Sequence, residues 1–120
     1  MNYGQLKTRI ASTMHRTDLL TTQVPNFVAD ATVRINNRLG LGLAPLVADD
    51  DTNPVLTDSY LLYLYAGLQS GYEFLNNGDN AEYYGRRFEA TADIVNVTGN
   101  DASTDPYLAA GVPPFILGVN

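Results

Sequence analysis

The chain has 120 residues, no cysteine, a single histidine and a formal net charge of −6. That length fits one domain with a modest core, the missing cysteines exclude a disulfide framework or a thiolate metal site, and one histidine excludes a multi-histidine metal centre. The longest apolar run, Leu61 to Leu68, contains two tyrosines and a glycine and falls well short of the roughly 20 residues a membrane span needs. No charged-then-apolar signal pattern opens the chain, so a soluble protein made in the cytoplasm is expected, without a membrane partner.

Leu6, Ile10 and Met14 recur at helical spacing, and Asn2 stands where an N-cap satisfies the first free backbone N–H groups. This predicts a short amphipathic helix. After it, Thr17 and Asp18 offer side-chain acceptors to the local backbone, and Pro25 pushes Val24 toward extended geometry while suiting the first turn of a second helix. Phe27, Val28, Ala31, Ile35 and Leu39 form the apolar stripe of that helix, which Gly40 and Gly42 end. The segment from Leu41 to Leu56, with Pro45, Asn53, Pro54 and three successive aspartates, breaks helix and strand alike and reads as a connection.

A third helix is expected from Thr57 or Asp58 to about Asn76, ended by Asn77-Gly78, and a fourth from Asp79 or Asn80 to about Val97, with Glu82 one turn before Arg86. The third is apolar on two faces. Leu61, Leu64, Leu68, Tyr72 and Leu75 form one stripe, and Tyr60, Tyr63, Gly67, Gly71 and Phe74 form another. A unit of four helices covers one such face well, so the second stripe is assigned to a subunit interface, where the two glycines allow another backbone to come close. The competing reading puts this helix at the centre of the chain's own core.

From Thr98 onward, Pro106, Pro113 and Pro114 forbid a continuous helix, yet Tyr107, Leu108, Phe115, Ile116 and Leu117 are too apolar for a solvated linker. The sequence therefore divides into an all-α four-helix domain over residues 1–97 and an extended C-terminal arm over 98–120; the apolar tail either folds back on its own domain or, the reading taken here, docks on a neighbouring subunit or other partner.

Catalytic and metal-binding motifs do not complete themselves. Taking Asp49, Asp51 and Asn53 as calcium-loop positions puts Pro54 where the glycine belongs and Tyr60 where the bidentate glutamate belongs. His15 has Asp18 nearby but no serine in a nucleophile elbow, so His15, Arg16 and Asp18 are read as a structural corner tied by hydrogen bonds and a charge pair. No phosphate-binding glycine loop follows a strand, and no cofactor is expected.

The order of these residues resembles the head-to-tail adaptor proteins of tailed phages. In that family the N-terminal segment is a helix, a His-Arg-x-Asp-Leu corner, a small apolar residue before proline, and a Phe-led helix closing on Arg-Ile-Asn-x-x-Leu. Here stand His15-Arg16-Thr17-Asp18-Leu19, Val24-Pro25-Asn26-Phe27-Val28 and Arg34-Ile35-Asn36-Asn37-Arg38-Leu39. Leu56-Thr57-Asp58-Ser59-Tyr60-Leu61-Leu62-Tyr63, Ala81-Glu82-Tyr83-Tyr84 and Arg86-Arg87-Phe88-Glu89-Ala90 are similar to the family's closing helices, so the likeness spans roughly the first four-fifths of the chain. Longer members carry a β-rich insertion where this chain has only the loop from Leu41 to Leu56, so no docking role of that insertion carries over.

The resemblance implies a non-enzymatic virion protein at the head–tail neck: a homo-oligomeric ring, dodecameric in the family, between the portal and the tail proteins, with DNA passing through its lumen without specific binding. Charge distribution agrees with such a lumen. Residues 1–40 carry five cations against Asp18 and Asp30, while the remainder carries eleven acids against Arg86 and Arg87, and an acidic surface repels phosphate. The alternative is a small helix-turn-helix regulator that reads DNA with the helix from Pro25 to Leu39, using Arg34 and Arg38. Against it stand the acidity of the chain and Asp30, one turn before Arg34.

Overall fold

The computed structural model describes residues 1–103, and among these the regular structure is entirely helical. Five helices follow in order: α1 (Tyr3–Thr13), α2 (Val24–Leu39), α3 (Pro54–Asp58), α4 (Tyr60–Phe74) and α5 (Gly78–Ser103), with a single 3-10 turn at Thr17–Leu19 between the first two. The all-α class expected from the periodicities is the class observed. None of the described helices is long and apolar enough to cross a membrane.

Capping explains most of the boundaries. Asn2 accepts from the Gln5 N–H while the Gln5 side chain accepts from the Asn2 N–H, a reciprocal capping box at the start of α1. The next free N–H groups, of Tyr3 and Gly4, donate to the carbonyls of Asp51 and Asp49, each at 2.9 Å, so the long loop seals this helix end. At the far end His15 takes a left-handed φ of 56°, and the Arg16 and His15 N–H groups donate back to Ala11 and Ser12, the paired bonds of a Schellman stop. Asn76, also at φ 56°, ends α4 the same way through Asn77 to Tyr72 and Asn76 to Glu73. Gly40, at φ 68°, ends α2.

Several expected boundaries move. Val24 is the first residue of α2 rather than an extended residue before it; Pro25 at the second position lacks an N–H that would have had no intrahelical partner there anyway. The expected third helix is two helices. Asn53 caps α3 by accepting from Leu56 at 2.8 Å, with Pro54 as its first residue, and Ser59, at φ −143° and ψ 52°, breaks the chain before α4. Asn77, not Asp79 or Asn80, caps α5, through Asn80 N–H at 3.2 Å. α5 also runs on to Ser103, because nothing stronger than Gly99 interrupts it before Pro106. The boundary expected at residue 98 therefore falls inside a helix, and the greater part of the arm, with Tyr107, Leu108, Phe115, Ile116 and Leu117, lies outside the described residues.

α4 is the central helix. It packs against α1, α2, α3 and α5, and Leu62, Tyr63, Ala66 and Leu68 are buried almost completely. Leu6 and Ile10 of α1, Val28 and Ile35 of α2, Leu56 of α3 and Phe88 and Ala92 of α5 close around it. A side chain such as Leu62 contributes about 1.5–3 kcal/mol when withdrawn fully from water, so the helix apolar on most sides is the one that organises the domain.

Candidate functional site

The Arg16–Asp18 pair forms as expected, with Arg16 Nε and Nη2 each donating at 2.9 Å to one oxygen of the Asp18 carboxylate. The fork holds the Asp18 carboxyl below the usual carboxylate range and the guanidinium above its own. It is nonetheless open to solvent. His15 is exposed as well and serves the corner through its left-handed backbone; among the hydrogen bonds of the described residues its imidazole makes none. Leu19 provides the buried anchor of the turn.

The Arg34-Ile35-Asn36 block and Arg38 are occupied in holding the domain together. Arg34 Nη2 donates to Glu73 at the end of α4 at 2.9 Å, and Ile35 fills the core. Asn36 clamps the long loop in both directions, its amide nitrogen donating to the Leu43 carbonyl at 3.0 Å and its oxygen accepting from the Leu43 N–H at 2.9 Å. Arg38 reaches across to α5, donating to Glu89 at 2.7 Å and to Asp93. The Arg38 contacts bridge an open groove of about 890 Å³ between α2 and α5, with Gln69 and Gly85 among its lining residues. Both arginines of the would-be recognition helix are thus engaged by carboxylates of the same chain.

The stripe assigned to a subunit interface divides. Tyr63, Gly67 and Gly71 lie inside the chain's own core, which corrects that assignment for these three. A Cβ on Gly67 would lie 2.7 Å from Ile10 Cδ1, and one on Gly71 would lie 2.6 Å from Met14 Sδ. The close approach that the glycines permit is that of α1. Tyr63 is fully buried but satisfied: its hydroxyl accepts from Asn53 Nδ2 at 3.0 Å and bonds Thr32 Oγ1 at 3.1 Å, and Thr32 uses its own proton on the Val28 carbonyl. Tyr63 is therefore the donor to Thr32. The remaining two members are partly open: Arg9 lies over the Tyr60 ring at 5.9 Å, and Phe74 is half exposed, packed at 5.6 Å on Phe27.

The acidic run is dispersed among separate tasks. Asp49 pairs with Lys7 at 3.0 Å, Asp50 is exposed, and Asp51 accepts from the Val47 and Ala48 N–H groups at 3.0 and 2.8 Å. Those two bonds, Ala48's first, lower the Asp51 pKa.

What the periodicities did not single out is an aromatic cluster on the other side of α4. Tyr72 stacks on Tyr84 at 5.7 Å with the rings nearly parallel, Tyr65 stacks on Tyr84 at 6.1 Å, and Tyr83 meets Tyr84 edge-on at 5.0 Å. Arg87 lies 5.3 Å from the Tyr65 ring centroid and 5.9 Å from that of Tyr83, and its Nη2 donates to the Tyr65 hydroxyl at 3.1 Å. Burial first, then the neighbouring hydroxyls of Tyr72, Tyr83 and Tyr65, push the Tyr84 phenol up from its ordinary pKa. The sequence signal was present in Tyr65 and Tyr72 seven residues apart, with Tyr83, Tyr84 and Arg87 within one turn of α5. Tyrosine and arginine together form the composition that concentrates binding energy at protein interfaces. Comparison with models of protein families, with curated proteins and with solved structures finds no match.

Proposed function

We propose that this chain is a structural subunit of a phage virion, a head-to-tail adaptor that assembles as a ring between the portal of the capsid and the tail proteins. The observation that carries the reading is the N-terminal block: the His15-Arg16-Thr17-Asp18-Leu19 corner, the Val24-Pro25-Asn26-Phe27 entry and the Arg34-Ile35-Asn36-Asn37-Arg38-Leu39 close, in the order and spacing of that family. The geometry supplies supporting physics. A ring subunit must be rigid, because angular errors accumulate around a closed assembly, and here the block's polar residues tie α2 to α4, α5 and the long loop. It must also let DNA pass, and net charge of −6 disfavours adhesion to phosphate.

The regulator reading needs Arg34 and Arg38 free to contact bases or phosphates. Their carboxylate partners on α4 and α5 weigh against it. No chemical step is assigned to His15, which stands exposed at a helix end.

The test is assembly. The purified chain is mixed with its cognate portal, and complexes are weighed by native mass spectrometry and imaged by electron microscopy; particles made without the chain are imaged alongside. A ring of the chain on the portal, and DNA-filled heads lacking tails in its absence, are the expected results. Tailed, infectious particles made without the chain would end the proposal, and sequence-specific retention of duplex DNA would put the regulator in its place.

A further inference from the structure

Among the described residues, Lys7, Arg16, Arg34, Arg38 and Arg86 each lie within ion-pair distance of a carboxylate of the same chain. Arg9 and Arg87 do not: Arg9, on α1, lies over the Tyr60 ring, and Arg87, on α5, rests on the Tyr65 and Tyr83 rings. On the same flank of α5, Tyr83 is 46% exposed and Ile94, two turns beyond Arg87, is 68% exposed. This flank combines aromatic and aliphatic surface with a cation whose charge no carboxylate within the described residues neutralises.

The outer face of α2 is its counterpart. Val33 is 57% exposed and stands about 200° round the helix from the core residue Ile35. Asp30, one turn before Val33 and exposed, makes no ion pair among the described residues. One patch is therefore apolar with a spare positive charge, the other apolar with a spare negative charge.

The two patches face apart. Arg38 joins α2 to Glu89 and Asp93, so that flank of α5 is turned toward α2; Arg87 stands about 200° round α5 from Glu89, on the flank turned away. Unlike, complementary patches on opposite sides of a subunit cannot meet within one chain, and between copies they produce a contact that repeats head to tail.

We propose that the Tyr83–Arg87–Ile94 flank of α5 receives the Asp30–Val33 face of α2 from a second copy of this chain. Arg87 meets Asp30 across the contact, and Val33 packs against Tyr83 and Ile94. Closure of the repeated contact into a ring rests on the adaptor reading, whereas the contact itself requires only copies of the chain.

Because the chain has no cysteine, the test can use introduced ones. A chain carrying Val33→Cys and Ile94→Cys, treated with a short bis-maleimide, should give a ladder of dimers, trimers and larger species; either single variant, which places only one cysteine at each contact, should stay essentially monomeric. Adding Asp30→Arg or Arg87→Glu should reduce the ladder about tenfold, and adding both to one chain should restore it, with far-UV circular dichroism verifying that each variant is folded. No ladder, a ladder indifferent to the charge changes, or a double exchange that restores nothing would overturn the contact. Portal binding, measured separately, keeps the two readings apart: a chain that ladders but ignores the portal counts against the adaptor alone, and one that binds the portal without laddering counts against this contact alone.

Discussion

α4 meets its neighbours in two physically different ways. Toward α1 it presents Gly67 and Gly71, and the side chains of Ile10 and Met14 occupy the space where a Cβ would stand. Toward α5 and solvent it presents Tyr65 and Tyr72, whose rings stack with Tyr84 and leave part of their surface uncovered. The first side achieves contact by removing atoms, the second by adding large, stiff, amphipathic ones. A glycine in an apolar helix thus marks a close approach without naming the approaching helix, while a half-covered tyrosine marks the boundary where the core gives way to water.

Overpacking the glycine side should have the largest effect. In Gly71→Leu the new Cβ meets Met14 Sδ at 2.6 Å, Met14 Cε at 2.8 Å and the Phe27 ring at 3.3 Å, and three further carbons must be fitted beyond that already overfilled contact. A loss of about 3 kcal/mol or more is expected in urea denaturation. Gly67→Ala should be far milder. Its Cβ comes too close only to Ile10 Cδ1, at 2.7 Å, and that end of the side chain can shift; alanine also returns about 1 kcal/mol of helix propensity. Equal losses at the two sites would show that α1 does not pack as described.

Removing the buried hydroxyl on the α2-facing side comes next. Tyr63→Phe keeps the ring but withdraws the acceptor of Asn53 and the donor to Thr32, at an expected cost of about 1–2 kcal/mol. The cost should fall on the start of α3 too, since Asn53 also caps that helix. Faster amide exchange at Leu56 would report it; unchanged stability would mean that water replaces the hydroxyl.

His15→Gly should act in the opposite direction. His15 holds φ 56° with a Cβ that this region disfavours, and glycine removes the penalty, a gain of about 1 kcal/mol in thermal or urea unfolding. A loss instead would mean that the imidazole makes a contact of its own.

The corner also shows what was legible beforehand. The class, the Asn2 cap, the Gly40 end of α2 and the Glu82–Arg86 pair at 2.9 Å all follow from short-range rules, in which the partner lies within a turn or two. α3 was legible in principle, since Asn53-Pro54 is a cap followed by a first-turn proline, but the surrounding aspartates and prolines outweighed it. Periodicity finds the second stripe of α4 but assigns three of its members, Tyr63, Gly67 and Gly71, to the wrong neighbour. Periodicity says that Tyr63, Gly67 and Gly71 share a face, and only the tertiary path of α1 says what covers it. The tyrosine cluster is not legible because its members belong to two helices, and the periodicity of each, even with Tyr72 placed on a stripe, does not say which faces of the two meet.

On the solvent side of the comparison, Tyr83→Ala should leave stability within about 0.5 kcal/mol, because its ring is nearly half exposed and touches the cluster at an edge. The same substitution should weaken the contact between copies proposed above. A fold that loses as much from Tyr83→Ala as from Tyr63→Phe would erase the distinction between the two sides of α4, and would make the cluster a core extension rather than a docking face.

The smallest effect is expected at the rim, where pH reaches it. Asp51 is lowered in the folded chain chiefly by the Ala48 N–H and then the Val47 N–H, so the ionised carboxylate is the form the loop binds. Its contribution is therefore complete above the ordinary carboxylate pKa of about 4 and is lost as pH falls through the lower, folded value. The loop carbonyls of Asp49 and Asp51 hold the first turn of α1, so acidification should release the Val47 and Ala48 amides first and those of Tyr3 and Gly4 after them. Asp51→Asn should remove the pH dependence at Val47 and Ala48. Amide exchange followed on both sides of pH 4 tests this order. Simultaneous loss of protection at Leu62 and Leu68 would mean that the loop and the core titrate as one unit, and the separation between the rim and the inside of α4 would not hold.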